Sequence, residues 1–471
     1  MIIRRVILGL LVFTAIMVMI AAGSYFYTDR NLQNLSDQAG KENRYQDQIG
    51  YLTDLAEREP WRKNISAQIA NAYFQSGDYV KAAVWFEKAG FVTELSFEDE
   101  FHYGYSLMEL GNAYAARKVF NKLGATPGRA EDEYFQLVLS QRKIGDFDGA
   151  LSTIKIWEKE SGSASEKLNY QLGLIQVFSD PDSAASTLLL ASAMNAELRT
   201  RLEPLIQILI SSDNKAGDRW YLIGQALFDL REWDLSEKAF SKSSEANPKN
   251  SEGWAMLGQI RELQEKDGYP DLVEALNLNP GSRLGRYFLA VYWRDRGQWE
   301  IAKKYLTDLS LEEPGESLWQ LELGKTSYTA GDLTAALEHF QSAVKLDPEN
   351  VTYWQTIAEF SLGNGIDFDG VGEGAVQKSV LLAPKNPISN DLMGWLFLIR
   401  GDYDNAAKFL RQSVASDPEF ARARLHYGQA LQGLGDLDSA RMELMKAVSL
   451  DPTGTVGLTA NRLLERYFQN E

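Results

Sequence analysis

The sequence GDLTAALEHFQSAVKLDPEN, residues 331 to 350, decides the fold, because two close relatives of it follow later in the chain. These are GDYDNAAKFLRQSVASDPEF at 401 to 420 and GDLDSARMELMKAVSLDPTG at 435 to 454. Each copy begins with Gly-Asp, has Ala at its sixth residue and reaches Asp-Pro at its seventeenth and eighteenth residues. Proline cannot continue a helix, because it lacks the amide donor and clashes with the preceding turn. Each copy therefore predicts one helix that starts after Gly-Asp and stops before proline.

The copies belong to a longer repeat with a period close to 34 residues. Taking Gly-Asp as the turn between two helices gives eleven repeats, numbered 1 to 11 along the chain. They begin at Lys63, Phe97, Glu131, Glu166, Gly217, Ser251, Arg283, Ser317, Val351, Pro387 and Ala421. Successive starts lie 32 to 36 residues apart, except for one interval of 51 residues after Glu166. So regular a period predicts a solenoid of stacked helix pairs.

Large and small residues occupy fixed places in each repeat. The first helix carries an aromatic residue such as Trp254 and, four places later, a glycine such as Gly258. The second helix carries an alanine such as Ala336 and, one turn later, a large apolar residue such as Phe340. Glycine costs about 1 kcal/mol of helix propensity, but its missing side chain lets a second helix approach closely. The pattern therefore predicts a tightly packed helical hairpin.

These repeats resemble tetratricopeptide repeats, whose pattern of Trp, Leu-Gly, Tyr, Ala, Phe, Ala and Pro has close matches here. One is WAMLGQI from Trp254, and another is LGKTSYTAGDLTAALEHFQSAVKLDP from Leu323. The resemblance covers about residues 63 to 454. It implies an all-α fold, a right-handed superhelical solenoid of antiparallel helix pairs whose first helices line the concave face. It also implies a module that binds other proteins and brings no catalytic residues.

The single long interval divides the predicted array. Within it Leu198, Leu202, Leu205 and Leu209 recur at helical spacing, which predicts an extra helix. We therefore predict the following segments: an N-terminal transmembrane anchor (1–28), a linker and capping helix (29–62), an N-terminal sub-array of about four repeats (63–197), an interrupting helix (198–216), a C-terminal sub-array of about seven repeats (217–454) and a capping helix (455–471).

The N-terminus predicts a membrane anchor. Residues 6 to 27 carry no charge, and 22 residues of helix at about 1.5 Å each span about 33 Å, enough for the hydrocarbon core. The alternative is a cleaved signal peptide, with Arg4 and Arg5 as its charged region and Ala21-Ala22-Gly23 as its cleavage site. Arg4 and Arg5 also favour an N-terminus inside the cell. We therefore predict a single-pass membrane protein with extracytoplasmic repeats, and leave the cytoplasm-facing orientation open.

Charge and composition exclude several functions. The chain has 48 Lys and Arg against 65 Asp and Glu, a net charge of -17, which disfavours nucleic-acid binding. It has no cysteine, and its three histidines, His102, His339 and His426, fall in distant repeats, so no metal site is predicted. The stretch NGIDFDGVGEG (364–374) fails as a calcium loop, because Gly365 and Val376 stand at its first and last ligand positions. The sequence predicts no cofactor and no enzyme.

The predicted partner-binding groove follows from the resemblance. In that family the second, fifth, ninth, twelfth and thirteenth places of each first helix face the concave side. The corresponding candidates are Tyr221, Gln225, Phe228, Tyr287, Arg294, Lys325, Tyr328, Trp395 and Leu398. Their rings suit contact anchors, and acidic neighbours such as Asp391 favour a basic partner segment. The alternative is that the rings only pack between adjacent first helices.

One known version of the fold grips a peptide carboxylate through Lys, Asn and Arg. Only Asn71 matches that pattern here, whereas Ala67, His102 and Gln136 occupy other clamp places. The sequence therefore predicts a membrane-anchored scaffold that recruits protein or peptide partners by other contacts, in cell-envelope assembly or export. A cytoplasm-facing membrane adaptor and a structural surface protein remain alternatives. Neither the partner nor the oligomeric state can be predicted.

Overall fold

The computed structural model describes residues 29–161, 165–211 and 216–468. The predicted membrane anchor over residues 6–27 lies outside them. Within those ranges no helix combines the length and the apolar character that crossing a membrane requires. The chain divides into two compact units, which meet between Pro248 and Lys249, and we call them unit one and unit two.

The described residues form helices and connecting turns, without a β-strand. Unit one is helical over 29–41 and then contains α1 Tyr45–Arg58, α2 Ile65–Gln75, α3 Tyr79–Gly90, α4 Phe97–Glu109, α5 Ala113–Gly124, α6 Glu131–Lys143, α7 Phe147–Ser161, α8 Glu166–Gln176, α9 Pro181–Met194, α10 Ala196–Ile210, α11 Ala216–Asp229 and α12 Trp233–Ala246. Each first helix packs on the second helix of its own repeat, from α2 on α3 to α11 on α12.

Unit two continues the same arrangement. It contains α13 Ser251–Leu263, α14 Tyr269–Leu278, α15 Arg283–Asp295, α16 Trp299–Glu312, α17 Ser317–Thr329, α18 Leu333–Leu346, α19 Val351–Asn364, a π-helical turn Phe368–Gly372, α20 Glu373–Leu382, α21 Pro387–Ile399, α22 Tyr403–Ser416, α23 Ala421–Leu434, α24 Leu437–Leu450 and α25 Thr455–Phe468. In nine of the eleven repeats, the first helix begins at the residue with which the predicted repeat begins. The predicted all-α solenoid of helix pairs is confirmed.

A Gly-Asp pair makes the turn inside several of the hairpins. Gly331 has a φ of 82°, in the left-handed region that only glycine adopts without strain, so the first helix ends there. The next residue, Asp332, accepts a hydrogen bond from the backbone N–H of Ala335 at 3.0 Å. This contact satisfies a free donor at the start of the second helix. Gly401 and Asp402 repeat the geometry.

Glycines at the eighth place of the first helices allow the close helix crossing. A Cβ on Gly394 would lie 2.3 Å from Cγ of Leu410, and one on Gly324 would lie 2.5 Å from the ring of Phe340. Both partners are buried in the facing second helix. A side chain at either glycine would therefore push the hairpin apart.

The interrupting helix joins its neighbours and does not separate them. It occupies α10, and Leu202, Leu205 and Leu209 on it are buried. They belong to one hydrophobic core that runs from Leu174 to Ala239, so repeats 4 and 5 share it. The division between the compact units consequently falls one repeat later than the predicted interruption at 198–216.

A buried charged cluster also links repeats that are not neighbours. Arg142, at the end of α6 in repeat 3, is 2% exposed. Its guanidinium donates to Asp234 at 2.8 and 3.0 Å, to Glu232 and to Gln171. Tyr170 donates its hydroxyl to Glu232 at 2.7 Å. Burial alone would lower the pKa of Arg142, but the two carboxylates of repeat 5 outweigh it and raise that pKa. We call these five residues the Arg142 cluster.

Candidate partner-binding surface

The clearest concave site of unit two lies where three first-type helices run side by side. It is a cleft of about 440 Å³ between α21, α23 and α25. The ninth, twelfth and thirteenth places of these helices supply most of its lining. The lining residues are Trp395, Leu398, Ile399, Tyr403, Gln429, Gln432, Gly433, Leu463 and Tyr467. We call this site the Trp395 cleft, and it brings together two of the predicted groove residues, Trp395 and Leu398.

Trp395 packs against a buried ionic group. Its ring stacks on the imidazole of His426, with centroids 5.3 Å apart and planes inclined by 23°. Nδ1 of His426 lies 2.8 Å from one oxygen of Asp391, and Nε of Arg422 donates to the other oxygen at 2.8 Å. Because Asp391 is fully buried, its orientation and that of His426 are fixed. The indole is therefore a preorganised wall of the cleft.

Asp391 does not have the role that the sequence analysis assigns to it. That prediction makes Asp391 a negative group in the groove, available to a basic partner. The prediction is wrong for this residue, because its side chain has no exposed surface and both of its oxygens are engaged. The engaging residues, Arg422 and His426, come from the next repeat.

Tyr403 forms a second aromatic wall, and Gly433 sets its position. The tyrosine is the first residue of α22 and is 39% exposed. Three of its ring atoms lie within 2.6 Å of the point where a Cβ on Gly433 would stand. The ring therefore lies directly against the backbone of α23, which no other residue at position 433 would permit without a shift.

Two glutamines face the same cleft from α23. Gln429 and Gln432 are half-buried and three residues apart, so they lie next to each other on one helix face. Neither side-chain amide is hydrogen-bonded to another residue in the described part of the chain. The cleft thus combines aromatic and aliphatic walls with two adjacent amides, and its lining contains no charged side chain.

The predicted residues on α15 and α17 form a packed polar row. Arg294 pairs with Glu322 at 2.5 Å, and Lys325 pairs with the other oxygen of Glu322 at 2.8 Å. Tyr287 packs on the buried ring of Trp319, 5.6 Å between centroids, and burial raises the pKa of Tyr287 to about 12. For Tyr287, packing between adjacent first helices is what the structure shows.

Tyr328 differs from Tyr287. It is 46% exposed, although its ring also meets that of Phe360 edge-on at 5.5 Å. Almost half of Tyr328 is therefore open to a partner, whereas Tyr287 is half-buried. Tyr328 is the predicted residue outside the Trp395 cleft that best suits a contact anchor.

In unit one the predicted residues Tyr221, Gln225 and Phe228 lie on α11. The amide of Gln225 donates to the hydroxyl of Tyr221 at 3.1 Å. The Tyr221 ring packs against Phe240, and Phe228 packs edge-on against Trp233 at 5.2 Å. All three are half-buried, so their contacts are mainly internal to repeat 5.

The clamp position Asn71 is used internally. Its amide donates to Asp99 at 2.6 Å, and its carbonyl oxygen lies 2.7 Å from Nδ1 of His102. His102 in turn stacks on Phe74, with centroids 4.0 Å apart, and burial lowers the pKa of His102. Asn71 is therefore occupied by its neighbours in repeats 1 and 2.

The sequence analysis misses six side chains of the Trp395 cleft: Ile399, Tyr403, Gln429, Gln432, Leu463 and Tyr467. The period itself contains the signal for five of them, beginning with Ile399 at the thirteenth place of repeat 10. Counting 34 residues from Ala421 leads to Thr455, where α25 begins, so the capping helix is the first helix of a twelfth half-repeat. Leu463 and Tyr467 then occupy its ninth and thirteenth places, and Gln429 occupies the ninth place of repeat 11. Gln432 occupies the twelfth.

These observations define a helical-repeat protein with an open cleft between the first helices α21, α23 and α25. Two family models described as tetratricopeptide repeat match residues 285–351 and 397–454. The chain therefore contains tetratricopeptide repeats, as the sequence pattern predicts. The second match includes much of the Trp395 cleft.

A curated relative is similar over part of its length. Protein CTR9 homolog of Arabidopsis thaliana is 25% identical over 228 residues, which are 46% of this chain and 20% of that protein. The chain therefore matches about a fifth of the length of this relative.

Solved structures resemble the chain more loosely. The APC/C hetero-tetramer Cut9-Hcn1 has a TM-score of 0.45 at 15% identity and covers 93% of this chain and 96% of that one. Yeast Tom70 has a TM-score of 0.44 at 15% identity, with coverage of 93% and 95%. YrrB, titled a TPR protein with an unusual peptide-binding site, has a TM-score of 0.32 at 16% identity, with coverage of 41% and 97%. Similarity at this level says nothing about function.

Proposed function

We propose that this protein is a scaffold that recruits a protein or peptide partner through the first-helix face of unit two. The single observation that carries the proposal is the Trp395 cleft, an open site lined by the half-buried ring of Trp395, which stacks on His426, and by the exposed rings of Tyr403 and Tyr467. Rigid aromatic side chains contribute much of the energy at protein interfaces, because they bury a large area at little entropic cost. Its lining contains no Asp, Glu, His, Lys, Arg, Ser or Thr, so the proposed role is binding.

The proposed setting is the cell envelope, with residues 6–27 as a membrane tether and the repeats outside the cytoplasm. This part depends on the 22-residue uncharged stretch and on Arg4 and Arg5 before it. Recruitment of partners beside a membrane would suit a role in envelope assembly or export. A cytoplasm-facing adaptor is the alternative outcome of the topology experiment.

Site-specific photo-crosslinking tests the binding role. A photoreactive amino acid replaces either Tyr328 on a first helix or Met442, which is 65% exposed on the second helix α24. The tagged full chain is expressed in the cells that naturally contain it. We expect a defined crosslinked partner from position 328, and its loss when Trp395→Ala is added. Equal crosslinking from both positions, or from 442 alone, would show that the first-helix face is not the binding surface.

Topology is tested separately. We expect the full chain in the membrane fraction. Its repeats should be digested by protease added to cells whose outer barrier has been opened while the cytoplasm stays enclosed. A version that starts at Asn31 should be soluble. Recovery of that version with membranes in the absence of any partner would show a second membrane contact, and protection of the repeats from protease would establish the cytoplasm-facing alternative.

A further inference from the structure

We propose that the Trp395 cleft takes an uncharged, extended internal segment of a partner and reads it through two or three bulky apolar side chains and its backbone amides. The inference rests on the proposed function, because it names the chemistry of the partner that this surface recruits. It departs from the basic partner that the acidic composition suggests.

The first argument for a neutral occupant is that the lining of the cleft is uncharged. The protein has a net charge of -17, yet none of the residues that line the cleft is charged. The nearest predicted acidic group, Asp391, is fully buried and is paired with Arg422 and His426. Arg422 is itself paired with Glu359 across the groove. A charged occupant would lose hydration here without meeting a counter-charge in the lining, so a neutral segment is electrostatically complementary to it.

The lining also disfavours recognition of a peptide terminus. A cation binds a terminal carboxylate most strongly, and the cleft has no Lys or Arg in its lining, where the side-chain N–H donors belong to uncharged residues. The one clamp-like residue in the protein, Asn71, is in unit one and is engaged by Asp99 and His102. The occupant is therefore an internal segment.

The adjacent amides of Gln429 and Gln432 identify the backbone as the polar partner. An apolar ligand that covered them would leave two polar groups buried without a hydrogen bond, at a cost of about 1 to 3 kcal/mol each. Each side-chain amide offers one acceptor and two donors, which match the N–H and C=O of a peptide unit. An extended strand presents such units about every 3.3 Å and leaves alternate side chains on one face.

The aromatic rings and the volume of the Trp395 cleft determine which side chains of the bound segment can fit. Trp395, Tyr403 and Tyr467 surround the site together with Leu398, Ile399 and Leu463. A volume of about 440 Å³ is within the range of small-ligand pockets and admits a few apolar side chains but no folded domain. Alternating large apolar and small polar residues would place the former against the rings and the latter toward solvent.

The probe is a panel of acetylated and amidated ten-residue peptides in which Leu, Ile or Phe alternates with Ser or Asn. Two matched panels replace the polar residues by Lys or by Asp. Binding to the full chain is measured by fluorescence anisotropy in 50 mM and 500 mM NaCl. We expect the neutral panel to contain the tightest binders, with affinity changing less than about twofold between the two salt concentrations.

Variants assign the binding to the cleft. Trp395→Ala should weaken the best neutral peptide about thirtyfold. Gln429→Leu combined with Gln432→Leu, which keeps the size of the side chains, should weaken it about tenfold. Lys408→Ala, on the exposed face of second helix α22, is the control and should leave the affinity unchanged. Circular dichroism and melting of each variant confirm that the fold is intact.

Backbone recognition has its own readout. Methylating the backbone nitrogen that contacts the glutamines should weaken binding to the natural protein, and should weaken binding to the double Leu variant much less. Equal losses in both proteins would overturn the role of the amides. Tighter, salt-sensitive binding of the Lys panel would overturn the neutral occupant, although a Trp395-dependent partner crosslink would still support the scaffold. If no panel binds and position 328 captures no partner, both proposals fail.

Discussion

Unit one and unit two each contain an ion pair that skips a repeat, but the two links are built differently. In unit one, Arg142 of repeat 3 is buried against Glu232 and Asp234 of repeat 5. In unit two, Arg422 of repeat 11 reaches Glu359 of repeat 9, whose side chain is 53% exposed. The first link crosses the irregular interval that contains α10, and the second crosses two intervals of ordinary length.

This difference shows what an interruption of the period does. Repeat proteins gain stability mainly from contacts between neighbouring repeats. Around α10 the turn that joins α11 to α12 folds back on repeat 3, and Lys238 of α12 lies 3.7 Å from the ring centre of Phe147. Repeats 3 to 5 therefore form one cooperative block, whereas repeats 9 to 11 keep the neighbour-by-neighbour arrangement with an ion pair added at the surface.

The largest expected effect comes from Arg142→Met. The substitution keeps an apolar stem of similar length but leaves Glu232 and Asp234 without their counter-charge. Removing one partner of a buried ion pair costs several kcal/mol, and since both carboxylates are partly exposed we expect a loss of about 3 kcal/mol. Hydrogen exchange should show lower protection in α6, α8 and α12 together.

Two matched changes serve as controls. Lys143→Met removes the neighbouring cation, whose side chain is 58% exposed, and should cost less than about 0.5 kcal/mol. Glu359→Gln in unit two should cost less than about 1 kcal/mol, because its ion pair is half in solvent. If Glu359→Gln lowers stability as much as Arg142→Met, burial does not distinguish the two links and the comparison fails.

Gly394→Leu tests how far a disturbance spreads in the regular repeats. Its Cβ would meet Leu410 at 2.3 Å, so the crossing of α21 and α22 must open, at a cost of about 2 kcal/mol. Loss of hydrogen-exchange protection should stay within repeats 9 to 11. Gly374→Ala, where no atom lies within 4 Å of the new Cβ, should be neutral or slightly stabilising. Equal loss of protection near residues 63 to 160 would refute neighbour-by-neighbour coupling.

A smaller expected difference between the two units is the loss of stability at alkaline pH. Burial raises the pKa of Tyr287 in unit two to about 12, against about 10 in an unfolded chain. The stabilisation from the neutral phenol is complete below pH 10 and is lost as the pH rises to 12. We expect unit two to lose about 1 kcal/mol over that range, and Tyr287→Phe to remove this loss. Burial beside Glu232 also raises the pKa of Tyr170 in unit one.

The smallest expected effect is an acid sensitivity of repeats 1 and 2. Burial lowers the pKa of His102 below its ordinary value, against the opposing influence of Glu98 and Asp99. The stabilisation from neutral imidazole is present above pH 6.5 and is lost as the pH falls below it. Between pH 7 and pH 5 we expect a loss of less than about 1 kcal/mol, seen as faster exchange in α2 and α4. His102→Gln should abolish this pH dependence, and an unchanged dependence would assign it to other groups.

The regular part of the fold is readable from sequence because its contacts repeat at the period. Gly331 and Asp332 determine a turn by local geometry alone, and the glycine at the eighth place faces a large residue of the second helix in several repeats, as Gly394 faces Leu410. Pairs across neighbouring repeats also keep a separation near 34, as Gln355 and Ser389 do. Such features need no knowledge of distant structure.

The remainder depends on contacts that the period does not specify. Arg142 and Asp234 are 92 residues apart across the irregular interval, so no pattern relates them. The engagement of Asp391 by Arg422 and His426 depends on side-chain orientation between two helices, which spacing alone does not give. The Trp395 cleft is only partly predictable from the period. Extending the period to Thr455 would have placed Tyr467 in the cleft.

The absence of one methyl group at position 433 sets the width of the Trp395 cleft. Tyr403 packs against the bare backbone of Gly433. Replacing Gly433 by alanine would therefore displace the Tyr403 ring by roughly the size of a methyl group, and a larger side chain at position 433 would displace it further. Ligand selectivity in a repeat scaffold can therefore be altered at a residue that has no side chain with which to contact the ligand. A related protein with a larger residue at this position would keep the repeat fold and bind different partners.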